Sequence, residues 1–229
     1  MVLKKILVVL TNTTQFTKKP EATGLWLGEA TEFVDIMASH YQIDYVSPQG
    51  GYVPLDPRSL KAADAAVLAR YRDREFQRNA LCDTLAPGVI NPTDYAAIYY
   101  TGGHGVMFDF PENPALQTIA QQIYASGGYV TSVCHGIAGL LNLRDDQGQY
   151  LIAGRHVTGF TTQEEILSQK RGLVPFLNEK VAADRGAHFD KKVPFRPFAI
   201  KDGQLITGQN PWSVKSVANT LLQALAGTN

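Results

Sequence analysis

The sequence predicts an α/β fold in which a mostly parallel sheet carries helices on both faces. Three observations predict it. Short apolar runs, such as residues 6–10 and Tyr95–Tyr100, have strand length and are too short for most helices. Segments with apolar residues at spacings of 3, 4 and 7 alternate with those runs. The strands read as unbroken apolar stretches rather than as in–out alternation, which is the pattern of a sheet buried on both sides.

Residues 6–10 form the first expected strand. The lysines and apolar run of MVLKKILVVLTNT imitate a secretory signal. Its five apolar residues fall short of the roughly 7–15 a signal needs, so the run is assigned to the sheet. A helix is expected from Glu29, with Ala30, Phe33, Val34 and Met37 on one face. Residues 42–46 form the next strand, closed by Pro48-Gln49-Gly50-Gly51. Five charges in the seven residues from Arg72 to Arg78 read as a solvated helical face. Tyr95–Tyr100 is a strand ending in Thr101-Gly102-Gly103-His104-Gly105. Asn113-Pro114 supplies a cap and a proline at the first helical position. Leu116, Ile119, Ala120 and Ile123 form the stripe behind it. Gly127-Gly128 stops that helix, and Tyr129–Val133 is a strand that runs into Cys134. Leu140, Leu141 and Leu143 suggest a short buried helix beyond that corner. Asp202-Gly203, between Phe198-Ala199-Ile200 and Leu205-Ile206, is a hairpin signal. Asn210-Pro211 opens a last helix with Val214, Val217, Ala218, Leu221 and Leu222 on its apolar face. No repeat, low-complexity tract or linker interrupts this order, so 1–229 is expected to be one domain.

Composition narrows the partners. Lys plus Arg and Asp plus Glu both number 21, so no net charge draws the chain to nucleic acid or an anionic membrane. No apolar run approaches the ~20 residues of a membrane span. Two cysteines, Cys82 and Cys134, argue against a disulfide framework and for a reducing, cytoplasmic location.

In sheets of this kind, sites form at the carboxyl ends of strands, and the reactive residues fall there. Ser132-Val133-Cys134-His135-Gly136 has the small-x-nucleophile-x-Gly pattern of a nucleophile elbow, with cysteine as the nucleophile. Such a turn presents the sulfur above the sheet and at a helix N-terminus, so a lowered thiol pKa is expected. Cys82 has no such context and reads as an ordinary thiol. Gly102-Gly103 ends the neighbouring strand. Together with the N–H of His135 it could direct backbone donors at a developing oxyanion; alone, it could equally be a tight turn. Five carboxylates could serve acid–base chemistry: Glu29, Glu32, Asp35, Glu164 and Glu165. Spacing does not choose among them. The histidines show no metal-ligand spacing, so neither a metal nor a cofactor is expected.

Seven stretches occur in a telling order: GLWLGEA (24–30), SPQGGYVPLDPRSL (47–60), YTGGHGVMFD (100–109), TSVCHGIAGLL (131–141), LIAGRHVTGFTTQEE (151–165), VPFLNE (174–179) and LITGQNPWS (205–213). They resemble the ThiJ/PfpI superfamily, which is related to class I glutamine amidotransferase domains. Within it they resemble the heat-shock-chaperone-like, glutathione-independent glyoxalase III subgroup. The resemblance runs from Ile6 to about Leu225 and implies a flavodoxin-like three-layer sandwich. It implies Cys134 as nucleophile, His135 beside it in the catalytic set, and Glu29, in a W-x-x-E run after Trp26, as the carboxyl that hydrogen-bonds the sulfur. It implies the N–H groups of Gly103 and His135 as the oxyanion hole. His104, Gly102 and Trp26 follow as pocket lining. Family members often read E-x-x-H-P-F; Glu29-Ala30-Thr31-Glu32-Phe33-Val34 lacks the His-Pro step, which bears on pocket shape and substrate preference. At 229 residues the chain is too short for the extra small domain, with its metal site, of the longer bacterial chaperones.

The activity implied is conversion of methylglyoxal, a small 2-oxoaldehyde, to D-lactate with water and without glutathione. The resemblance thus implies a D-lactate dehydratase, a lyase, with a stress-protective role, and it also implies a homodimer. Two functions of other classes stay open. One is a holdase chaperone that binds unfolded proteins and needs no cysteine. The other is a cysteine-dependent peptidase, amidase or deglycase.

Overall fold

Each central strand sends alternate side chains to opposite sides of one sheet, as a period of two demands. On β1 (Lys5–Val9), Ile6 and Val8 enter one core while Leu7 and Val9 enter another. The structure, a computed structural model, describes residues 5–227, so positions 1–4 and 228–229 of the expected 1–229 domain lie outside the described residues. The remaining strands are β2 (Ile43–Val46), β3 (Tyr95–Tyr100), β4 (Tyr129–Val133), β5 (His156–Val157), β6 (His188–Phe189), β7 (Ala199–Asp202) and β8 (Leu205–Gly208). The main sheet has the order β2-β1-β3-β4-β8-β7, with β5 and β6 paired separately. All neighbours in the main sheet are parallel except β7 and β8, which form the hairpin expected at Asp202-Gly203.

The helices Leu27–Met37 and Val214–Ala226 cover one face and touch each other. The helix Pro114–Ala125 covers the other with Leu116, Ile119, Ala120 and Ile123. This is the expected flavodoxin-like arrangement. One aromatic pair fixes the first helix over the sheet: Phe33 stacks on Tyr99 with ring centroids 3.7 Å apart and planes 6° from parallel. Such pairs add about 0.5–1.5 kcal/mol beyond their buried area. The Tyr99 hydroxyl then donates to the Glu29 carbonyl at 2.9 Å, tying the start of that helix to the end of β3.

Two expectations change. The buried helix over Leu140, Leu141 and Leu143 is absent; those leucines are buried, but the regular element is a 3-10 turn, Cys134–Gly139. Close approach to β3 is the reason. A Cβ on Gly136 would lie 2.2 Å from the Tyr100 carbonyl oxygen, and one on Gly139 would lie 2.4 Å from the Tyr100 ring. The charged run from Arg72 to Arg78 is not wholly a solvated face either. Phe76 is buried edge-on against Tyr45, and the chain passes there into the π-helix Gln77–Cys82. Among the described residues, no helix is long and apolar enough to cross a membrane.

Candidate active site

β4 ends at Val133 in extended backbone, and the next residue, Cys134, takes a φ of 57°. A non-glycine residue in this left-handed region costs on the order of 1–3 kcal/mol, and such strain gathers at functional sites. Here it turns the strand sharply into the 3-10 turn. Phe160 N–H holds the corner by donating to the Cys134 carbonyl at 2.9 Å. Cys82, by contrast, is exposed and apart from the site.

The thiol does not have the environment that the sequence led us to expect. Six residues of 3-10 turn align few peptide dipoles. Burial pushes the Cys134 pKa well above its ordinary value; an ionised Glu29 would push it further, and only the His135 N–H pulls it down. The resting sulfur is therefore a thiol, which corrects the expectation of a lowered pKa.

Glu29 is wholly buried in the first turn of its helix. Gly102 N–H donates to its Oε2 at 2.6 Å, while Oε1 has no hydrogen-bond partner of ordinary geometry. Burial raises its pKa to about 8, outweighing the lowering effects of the neighbouring Cys134 side chain and the Gly102 N–H. The carboxyl is protonated across neutral pH. Gly102 is the point of convergence: a Cβ there would lie 2.5 Å from Glu29 Oε2, 3.0 Å from Cys134 Cβ and 3.0 Å from His135 N. Only glycine leaves room for carboxyl, cysteine and elbow backbone together.

His135 completes a chain of contacts. Its Nδ1 lies 3.3 Å from Cys134 Sγ, and its Nε2 lies 2.6 Å from Glu165 Oε1. Burial works against ionising Glu165, but the electrostatic attraction of the adjoining His135 ring and the hydrogen bonds from His104 and His135 outweigh it and hold the carboxyl well below the usual range. A thiol, an imidazole and a carboxylate thus stand in line, the order of groups that a catalytic triad requires. Phe160 packs tilted on the His135 ring at 4.2 Å.

His104 lies on the far side of Glu165, with its Nε2 3.3 Å from Oε2 and its ring 4.0 Å from that of His135. Burial and the neighbouring His135 push its pKa to about 4, so it is neutral. The fold therefore gathers what spacing did not: ligand atoms of His104, His135 and Glu165 lie within 4.8 Å of one another and by distance alone could surround a cation.

The other candidates go elsewhere. Trp26 N–H donates to the Gly102 carbonyl at 3.1 Å. Its ring lines a cleft of about 320 Å³ with Glu32, Trp212 and Lys215, a lining that includes neither Cys134 nor His135. Asp35 pairs with Arg70, its Oδ1 2.6 Å from Nε. Gly103, at φ 101°, is packed so closely that a Cβ would lie 2.2 Å from the Gly24 carbonyl oxygen and 2.6 Å from Trp26 N. A side chain at Gly103 would therefore cost folding before it could bear on turnover. Sequence reasoning left Glu165 unselected among five carboxylates. It also passed over Arg58, which lies 3.1 Å from His104 Nδ1. The available signal for Glu165 was the Thr161-x-x-Glu164 capping box, which commits the adjacent carboxylate to the helix start.

Fold and site together define a ThiJ/PfpI-type α/β sandwich with a Cys–His–Glu constellation at its elbow. No family model matches the chain. Individual relatives do. The chain is 33% identical over 234 residues to the glutathione-independent glyoxalase HSP31 of Saccharomyces cerevisiae, covering 97% of this chain and 98% of that one. It is 30% identical over 232 residues to glyoxalase 3 of Candida albicans, covering 96% and 98%. The chain belongs to the glutathione-independent glyoxalase (HSP31) family. Among solved structures, the 24 kDa rapid encystment protein of Francisella tularensis superposes with a TM-score of 0.94 at 32% identity, covering 97% and 99%. Glyoxalase III from Candida albicans superposes at 0.85 with 29% identity, covering 96% and 97%. A ThiJ/PfpI domain protein from Brachyspira murdochii, 15% identical with a TM-score of 0.64, shares the fold.

Proposed function

We propose that the protein is a glutathione-independent glyoxalase that converts methylglyoxal and water to D-lactate, with Cys134 as the covalent nucleophile. The observation that carries this reading is the Cys134–His135–Glu165 line beside a protonated Glu29. Cys134 rests as a thiol, so His135 Nδ1 takes the S–H proton as sulfur attacks the aldehyde carbon. Glu165 stabilises the imidazolium through Nε2–H. The product of this step is a hemithioacetal.

Glu29 Oε2 accepts from Gly102, so its proton sits on Oε1, the atom without a partner. That O–H is free to donate to the sulfur or to a substrate oxygen. Removal of the C1 proton from the hemithioacetal gives an enediolate, and return of a proton to C2 gives a lactoyl thioester. His135 or Glu29 shuttles that proton between the two carbons. The N–H groups of Gly103 and His135 would meet the negative oxygen. Water then cleaves the thioester, releasing D-lactate and the thiol. This is a D-lactate dehydratase, a lyase, contained in one domain and requiring no cofactor. We assign it to the cytoplasm, as a homodimer.

The test is time-resolved product identification with methylglyoxal and no added thiol, comparing wild type with Cys134→Ser. D-lactate from the wild type alone supports the reading. Peptide or amide cleavage by a protein inert to methylglyoxal would replace it with a hydrolase.

A further inference from the structure

Arg58 is anchored too firmly for a surface arginine. It lies in the helix Pro57–Ala62, whose cap is the wholly buried Asp56. Asp56 Oδ1 accepts from Arg58 Nε at 2.9 Å and Oδ2 from Nη2 at 2.5 Å, and Thr23 Oγ1 adds a bond to Oδ2 at 3.0 Å. This two-pronged grip fixes the plane of the guanidinium. A remaining N–H on Nη2 points at His104 Nδ1, 3.1 Å away.

An arginine can only donate. We infer that Arg58 is a positioning residue that locks His104 in the Nε2–H tautomer, making His104 a fixed donor to Glu165 and barring the His104–His135–Glu165 cluster from holding a divalent metal. Two contacts settle the tautomer. Nδ1 must offer a lone pair to Arg58, and Nε2 must offer a hydrogen to the Glu165 carboxylate 3.3 Å away. The opposite tautomer sets donor against donor and lone pair against anion. Turning the ring by 180° replaces both nitrogens with carbon. The neutral state of His104, with its pKa pushed to about 4, agrees with this arrangement. Glu165 thus accepts one N–H on each oxygen, from His135 on Oε1 and from His104 on Oε2. The second bond stops the carboxylate from rotating away from the catalytic histidine.

The same lock answers the metal question. A histidine ligand needs a bare ligating nitrogen and an N–H on the other, aimed at an acceptor. His104 has the reverse: its proton faces the cluster and its Nδ1 faces a cation. A divalent ion there would force Nδ1–H against the guanidinium and add charge beside it. This role of Arg58 depends on hydrogen placement and holds whichever substrate the site takes.

The test begins with the unaltered protein. Long-range ¹⁵N–¹H correlation on histidine-labelled wild type should show His104 protonated on Nε2 and bare on Nδ1; protonation on Nδ1 overturns the inference. The second measurement is Co²⁺ titration, read by visible absorbance, in a Cys134→Ser background so that the thiol is not a ligand. Arg58→Met should bind Co²⁺ about 10–100-fold tighter than the background, the usual scale of a second-layer partner's effect on metal affinity. Arg58→Lys, which keeps a donor, should fall between them. Equal affinity in Arg58→Met and the background, with the fold intact by circular dichroism, overturns the metal-exclusion role.

Discussion

The protonated state of Glu29 has a measurable price in stability. Its folded pKa is about 8 against an ordinary 4.5. Between those values the folded carboxyl keeps a proton that the unfolded chain has released. Stability contributed by that proton is fully present below pH 4.5 and is lost as pH rises through 8. At 1.36 kcal/mol for each pH unit, the interval corresponds to about 5 kcal/mol. From pH 5 to pH 7 alone the loss is about 2.5 kcal/mol, or about 5–10 °C in Tm for a chain of this size. Asp109, also buried and raised to about 6, titrates in the same direction below that pH, so wild type alone cannot isolate the effect. Glu29→Gln can. Its amide oxygen accepts from Gly102 N–H as Oε2 does, and its NH₂ stands in for the Oε1–H. The assay is Tm against pH from 5 to 9 for both proteins in a Cys134→Ser background, which removes the thiol's own titration. The glutamine protein should gain on the glutamate protein by about 1.4 kcal/mol per unit as pH rises toward 8, and the gain should level off above it. In infrared difference spectra, a protonated carboxylic band should disappear with a midpoint near pH 8. Parallel Tm curves, or a carboxylate band already present at pH 6, would refute the burial argument and remove Oε1–H from the mechanism.

Three further outcomes are expected. Iodoacetamide alkylation of Cys134, located by mass spectrometry, should have a pH midpoint above about 8.5; a midpoint near 6 would mean that the elbow backbone outweighs burial. Glu165→Gln should fold normally and lose about 10²–10⁴-fold in kcat with little change in KM, and a loss under threefold would remove it from the triad. The adjacent glycines should part company. Gly103→Ala, with its Cβ 2.2 Å from the Gly24 carbonyl at φ 101°, should fail to fold or melt far below wild type. Gly102→Ala meets the side-chain carboxyl of Glu29, not backbone, at 2.5 Å; it should remain folded and lose about 10²-fold in turnover by displacing that carboxyl. Reversed behaviour of the pair would sink this assignment.

The fold was legible because its signals are local. Unbroken apolar runs marked β1, β3 and β4, and Asp202-Gly203 marked the β7–β8 turn. The elbow was legible too, because small-x-Cys-x-Gly states a backbone requirement that the φ of Cys134 meets. The thiol's ionisation was not legible. The residue pattern shows that a turn follows the strand, but not that the turn is a six-residue 3-10 segment pressed on Tyr100. Nor does it show that a carboxyl from the first helix shares the sulfur's dry site. Both facts come from packing between elements far apart in the chain, and both act against the thiolate.

Glu164 and Glu165 show where the boundary between legible and illegible runs. Consecutive helical residues are rotated by about 100°, so the two carboxyls cannot serve one partner. The capping box claims the first. Thr161 N and Oγ1 both donate to Glu164 Oε2, and Glu164 N donates back to Thr161 Oγ1. Its Oε1 collects Phe195 N, Gln209 Nε2 and Asn210 Nδ2. Every acceptor site is spent on joining the helix Thr162–Leu167 to two loops, leaving Glu164 nothing for catalysis. Glu165, one step around the helix, turns instead to His135 and His104. The sequence T-T-Q-E-E thus carries half of the assignment, since a T-x-x-E box names the structural glutamate and frees the next. The other half lies 30 residues back in the chain at His135. That pairing is made by the fold, not by spacing: β4 carries the elbow to the sheet's carboxyl edge, and Phe160 N–H, just before the capping box, bonds the Cys134 carbonyl and draws the helix start against it.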